Sequence, residues 1–203
     1  MEQETLNRLA FFGRMNAHIS HELKNILATI SETAGLLMDL MDMYGVGKGP
    51  QAERLPQLCE RIDSLVTRGN DTVRNMNRFA HSVDEPVKQI DLGELLELTA
   101  SLSAYMPFAR KVELDLLAET AVVQTRPFLV LNLLYACIAG IFPAVDVKTR
   151  LKITLDTAPD GARIILDPAP TAPQDVDDIT ERLGAKLRHE KGVLTIELPA
   201  SLD

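Results

Sequence analysis

With 203 residues, 46% of them hydrophobic, the chain is long enough to bury a substantial core as one large or two small domains. A formal net charge of -8 and a pI near 5.0 exclude a general nucleic-acid or anionic-membrane binder, which needs a basic surface, so partners are expected among proteins or small molecules. Cys59 and Cys137 are too few and too far apart for a disulfide framework or a zinc site, which suits a reducing cytoplasm.

The opening stretch, MEQETLNRLAFFGRM, is acidic before it is apolar and does not read as a signal peptide. From Glu4 to Tyr44 there is no proline, and Ile19, Leu23, Ile26, Ile30, Leu37, Leu40 and Tyr44 recur in alternating steps of four and three, with Thr33 the polar member of the register. That pattern predicts a long helix with a coiled-coil-like seam. GVGKGPQ then turns the chain. A second seam follows through Leu55, Leu58, Ile62, Leu65, Gly69, Thr72, Met76, Phe79 and Val83. Two long helices and a short loop make an antiparallel hairpin, and since one hairpin cannot bury both seams, two copies are expected to pair as a four-helix bundle. This is the first domain, residues 1–85.

Pro86 closes the second helix, and residues 86–203 have a shorter, mixed texture. Asp91 should cap a helix over LGELLELTASLSAYM. KVELDLLA and AVVQT read as strands, Pro127 to Phe142 as a helix, and RLKITLD with ARIILD as a hairpin across Thr157 to Gly161. A helix around Asp177 to Leu187 and a last strand, GVLTIELP, complete an α+β two-layer sandwich. The apolar run from Phe128 to Val145 is short for a membrane span and carries Asn132 and Pro143, so it reads as a buried helix with no membrane partner.

Placing Ile19 and Ile26 at heptad position d puts His21 at f, on the side of the helix away from the seam, where a core histidine would not sit. Ala17, His18, Lys24, Asn25 and Ala28 surround it, and small Ala17 and Ala28 leave room for another protein to reach the imidazole. A neutral imidazole near pH 7 offers a ring nitrogen to a phosphoryl group and can pass it on. Glu22 is the candidate to hold the second ring nitrogen, although adjacent helical residues diverge by about a quarter turn. Asn25, one turn on, is placed to orient an attacking group or a water.

HISHELKNILATI, residues 18–30, resembles the H-box of bacterial sensor histidine kinases. The resemblance implies that His21 is the phosphoacceptor, Glu22 the acid/base residue and Asn25 the residue associated with phosphatase activity. The family's usual proline after Asn25 is Ile26 here, which leaves the chemical groups untouched. The likeness continues through RNMNRFAHSVDEPVKQIDLGELLEL, similar to the family's junction between its helical bundle and its ATP-binding domain.

The nucleotide boxes that the resemblance calls for are broken. Asn132-Leu-Leu-Tyr-Ala136-Cys137 has alanine where the family's second asparagine coordinates magnesium and phosphates. Asp167-Pro168-Ala169-Pro170 stands where a glycine-bearing loop meets adenine, and Thr171 to Glu181 contains no glycine for a lid. The chain thus resembles phosphotransferases that share the kinase architecture but have lost nucleotide binding. The expected cofactors are none bound stably, with Mg2+ supplied by a partner receiver domain.

The ordinary reading of His21 is an idle surface histidine, and it is the H-box that sets this aside. His18, His21, Glu22 and Asn25 lie on one helix without a second element, a poor start for a metal site. Arg54, Arg61 and Arg68 repeat every seven residues; such stripes usually pair with carboxylates of neighbouring helices, and the alternative is a docking stripe for an acidic receiver face, joined by Ala17, Lys24 and Ala28. The expectation is a cytoplasmic, homodimeric histidine phosphotransferase of a two-component phosphorelay, with response-regulator receiver domains as partners. Its rivals are an active histidine kinase with an atypical ATP site, and a non-catalytic adaptor that binds kinases or regulators.

Overall fold

The computed structural model describes residues 2–45, 53–106, 109, 112–118 and 120–202. It is α+β, a long helical hairpin followed by a sheet-containing domain, as the two periodicities require. The chain divides into two compact units, Met1–Asn77 and Arg78–Asp203.

The first unit holds helix α1 (Glu2–Tyr44) and most of α2 (Arg54–Ala80). Gly45, at φ 77°, ends α1 by donating its N–H to the Met41 carbonyl at 2.8 Å, a backbone conformation that favours glycine. Most of the GVGKGPQ turn, residues 46–51, lies outside the described residues. Pro56 falls in the first turn of α2, where its missing N–H costs no helical hydrogen bond. The predicted seam is the buried face: Ile19, Ile26 and Thr33 of α1 and Leu58 and Thr72 of α2 are buried. A Cβ on Gly69 would touch Ile26 at 3.6 Å, so the helices meet closely there. The hydroxyls in the seam stay satisfied within their own helices, Thr33 donating to the Thr29 carbonyl and Thr72 to the Arg68 carbonyl at 2.7 and 2.9 Å. Ile30, Leu37, Ile62 and Leu65 remain only half-buried, and the seam's end members Tyr44 and Val83 are exposed, because α1 ends at Tyr44 and Val83 lies beyond the end of α2.

The second unit begins ahead of residue 86, because the end of α2 belongs to it. Arg78 donates to the Glu94 carbonyl at 3.0 Å and the Phe79 ring lies 6.1 Å from that of Phe128. Its elements are β1 (Lys88–Asp91), α3 (Leu92–Ser103), β2 (Val112–Ala118), β3 (Val122–Thr125), α4 (Pro127–Ile141), β4 (Thr149–Ala158), β5 (Gly161–Asp167), α5 (Asp177–Arg182), β6 (Lys186–Glu190) and β7 (Val193–Pro199). The main sheet runs β2-β4-β5-β7-β6, with β2 and β4 parallel and the other neighbours antiparallel. Leu151, Ile153 and Leu155, Ala162, Ile164 and Leu166, and Leu194, Ile196 and Leu198 alternate inward from three strands to form the covered face. Helix α4, apolar on nearly every side, is mostly buried, as such a helix must be. Two thirds of the apolar window Pro127–Ala144 is buried inside the protein, at 67%. Asp91 caps α3 as expected, accepting from Gly93 N at 2.8 Å.

Two elements differ from the sequence expectation. The helix foreseen to Leu187 stops at Arg182, because Gly184 adopts φ 57°; Lys186–Glu190 is instead strand β6, paired with β7. Residues 88–91, too short and polar to show alternation, form β1 by pairing with β3 in a separate two-stranded sheet.

Gly161 opens β5 at φ 151°, and a Cβ there would lie 2.0 Å from the Leu198 carbonyl oxygen. Gly192 also has positive φ, 77°, but nothing lies within 4 Å of its missing Cβ. Gly161→Ala is therefore expected to lower stability by about 2–3 kcal/mol, roughly 5 °C or more in thermal unfolding, and Gly192→Ala by only about 1 kcal/mol. Equal melting temperatures for the two variants would contradict this account.

Candidate functional site

His21 lies along α1 on the surface opposite Ile19 and Ile26, and its side chain is exposed while theirs are buried. Ala17, Lys24 and Ala28 around it are exposed as well, so the imidazole stands among two methyl groups and one flexible cation. Asn25 reaches back one turn, with Nδ2 3.2 Å from His21 Nδ1. The helix beyond is tied by Thr29, whose hydroxyl donates to the Asn25 carbonyl at 2.8 Å. His18 is half-buried on the preceding turn.

Glu22 takes another partner. Its Oε1 accepts a hydrogen bond and an ion pair from Arg68 of α2. The Glu22 side chain is 13% exposed against 59% for Arg68, so the carboxylate is drawn in along the hairpin rather than lying over the imidazole. Successive helical side chains point about 100° apart, which lets Glu22 face α2 while His21 faces outward. The side-chain contact with the His21 ring seen here is that of Asn25, at Nδ1, while Glu22 is engaged by Arg68. Of the arginine stripe, Arg68 is engaged with this carboxylate, the ordinary fate of such stripes, and Arg61 is exposed. This cross-helix pair was hidden in the sequence because the loop register that brings residues 22 and 68 together is not written in either heptad.

The hairpin also has an apolar edge. The Glu22–Arg68 pair marks one flank of the seam; Leu27, Ala34 and Met41 of α1, with Cys59, Val66 and Val73 of α2, recur at seven-residue steps along the other. Leu27 is 63% exposed, and Val66 and Val73 are each 45% exposed.

In the second unit, Asn132 and Ala136 are half-buried on α4 and Cys137 is buried, which pushes its thiol up to about 12 and leaves it inert. Asp167 is exposed at the end of β5. The segment after it is stitched down: Ala169 N donates to the Gly192 carbonyl at 2.6 Å, His189 Nε2 donates to the Ala169 carbonyl at 2.6 Å, and the Thr171 hydroxyl donates to the Gly140 carbonyl of α4 at 3.2 Å. Val176 and Leu183 are buried beyond it. Ala136 stands at the place on α4 where the resemblance calls for a second asparagine, one turn beyond Asn132.

No protein-family model matches the sequence, and neither does any curated protein. Among solved structures, a bacterial phosphotransferase aligns over 93% of this chain and 96% of its own length, with a TM-score of 0.53 and 15% identity. The cytoplasmic segment of histidine kinase QseC aligns over 66% of this chain and 95% of its own, with a TM-score of 0.48 and 18% identity. Acinetobacter baumannii histidine kinase AdeS aligns over 89% and 98%, with a TM-score of 0.47 and 14% identity. The first of these likenesses, covering nearly both chains, establishes a shared fold of helical hairpin and α/β sandwich.

Proposed function

We propose that this chain is a homodimeric histidine phosphotransferase of two-component signalling, exchanging a phosphoryl group between His21 and an aspartate of a response-regulator receiver domain in the cytoplasm. The observation that carries the reading is the site itself: an exposed imidazole on a rigid helix, flanked by alanines, with one ring nitrogen held by Asn25 and the other open to an approaching partner. Transfer of this kind is chiefly positioning and charge neutralisation, so a helix surface suffices when the receiver supplies the Mg2+ and the acidic pocket. Lys24 and Arg61, both exposed, would meet that acidic face, while Ala17 and Ala28 allow it to close.

The second unit supports a reading without ATP. Ala136 and Cys137 offer magnesium no ligand, and Ala169 and Thr171 bind backbone groups of this chain where a mobile lid would have to open. The test uses labelled ATP with Mg2+ on the chain alone, then phosphorylated receiver domains. Label is expected on His21 only in the second case. Calorimetry with ATP and Mg2+ is expected to show no micromolar binding; a free energy of about -8 kcal/mol or tighter would restore the kinase reading.

A further inference from the structure

The contact between Asn25 and Nδ1 of His21 bears on more than the placement of the ring. A neutral imidazole carries one proton, so the group facing Nδ1 decides which nitrogen keeps a lone pair. With Asn25 Nδ2 toward the ring, Nδ1 accepts a hydrogen bond and the ring proton sits on Nε2. The outward nitrogen then has no lone pair with which to attack phosphorus. A half-turn of the carboxamide puts Oδ1 in the same place; it accepts the proton on Nδ1 and frees Nε2. Glu22, the other nearby acceptor, is held by Arg68.

We propose that Asn25 is the positioning residue that arms His21, the orientation of its carboxamide selecting the tautomer with a free Nε2 lone pair. In the transfer, that lone pair forms the N–P bond while the P–O bond to the receiver aspartate breaks and the carboxylate leaves with its electron pair. Nδ1 keeps its proton throughout, and the positive charge of the phosphorylated ring is held against Oδ1. This rests on the phosphotransfer reading above, and it differs from a role for Asn25 in hydrolysis alone, since it makes the forward step itself depend on that side chain.

The test uses the full chain and phosphoramidate as phosphoryl donor, so that no receiver has to be known. The Nε2 lone pair attacks phosphorus, the donor's P–N bond breaks, and its nitrogen departs as ammonia after taking a proton from water. Three proteins are compared: wild type, Asn25→Ala, and Asn25→Asp, whose carboxylate can only accept. Nitrogen-15 NMR of His21 reports the tautomer, and phosphorus NMR reports which ring nitrogen is loaded. Asn25→Asp is expected to show the Nδ1-protonated form and to load Nε2 within about threefold of the wild-type rate. Asn25→Ala should lose that tautomer preference and load roughly five- to tenfold more slowly, the effect of one hydrogen bond. Wild-type loading and tautomer in Asn25→Ala, or an Asn25→Asp no faster than Asn25→Ala, would overturn the proposal. Failure of the relay reading looks different: wild-type His21 loads from phosphoramidate but from no phosphorylated receiver.

Discussion

Replacing His21 by alanine is expected to abolish phosphoryl acceptance from a phosphorylated receiver, a loss of at least a thousandfold, because the proposed transfer runs through its exposed imidazole and neither a serine hydroxyl nor a protonated lysine beside it is an equivalent nucleophile. The change removes an exposed side chain whose hydrogen bond is to Asn25, so helix α1 and the melting temperature should be nearly unaffected. The product in the wild type should be acid-labile and map to His21. Finding it on His18, His81 or His189 would displace the assignment. A non-catalytic adaptor would keep its effect on its partner pathway in the alanine variant, which separates the two classes directly.

The paired substitution Leu27→Asp with Val66→Asp is expected to convert a dimer into monomers. The two residues lie on the apolar edge of the hairpin, and Ile30, Leu37, Ile62 and Leu65 beside them are only half-buried within one chain. A second hairpin laid on this edge would bury both sets as a four-helix bundle, the usual outcome for such seams. Two carboxylates placed there would have to be desolvated without partners, weakening association at least a hundredfold, about 3 kcal/mol. His21 sits about 120° around α1 from the Leu27 edge, so dimer formation would leave it open. Sedimentation of both proteins at equal concentration is the measurement. A wild-type monomer, or an unchanged dimer in the variant, would place the interface elsewhere or remove it.

The sequence carried the hairpin well, since a period of three and four sustained through α1 and α2 has no other stable solution. It also carried Asp91 as a cap, the β4–β5 hairpin around Asp160, and burial of α4, each a local rule with a local cause. Where local signals were weak, neighbours decided. Lys186–Glu190 has enough helix formers to extend α5, yet Gly184 ends the helix and pairing with β7 makes the segment a strand. Lys88–Asp91 carries no alternation of its own and is a strand only because β3 lies beside it.

The same division runs through the site. The outward position of His21 could be read from sequence alone, because it follows from the heptad places of Ile19 and Ile26. Whether Glu22 or Asn25 attends the imidazole could not, since both lie within reach on a helix and the choice turns on Arg68, forty-six residues away along the chain. Helical periodicity is a property of near neighbours, so it fixes faces; an ion pair across a hairpin depends on the register of two helices, which only the packed structure supplies.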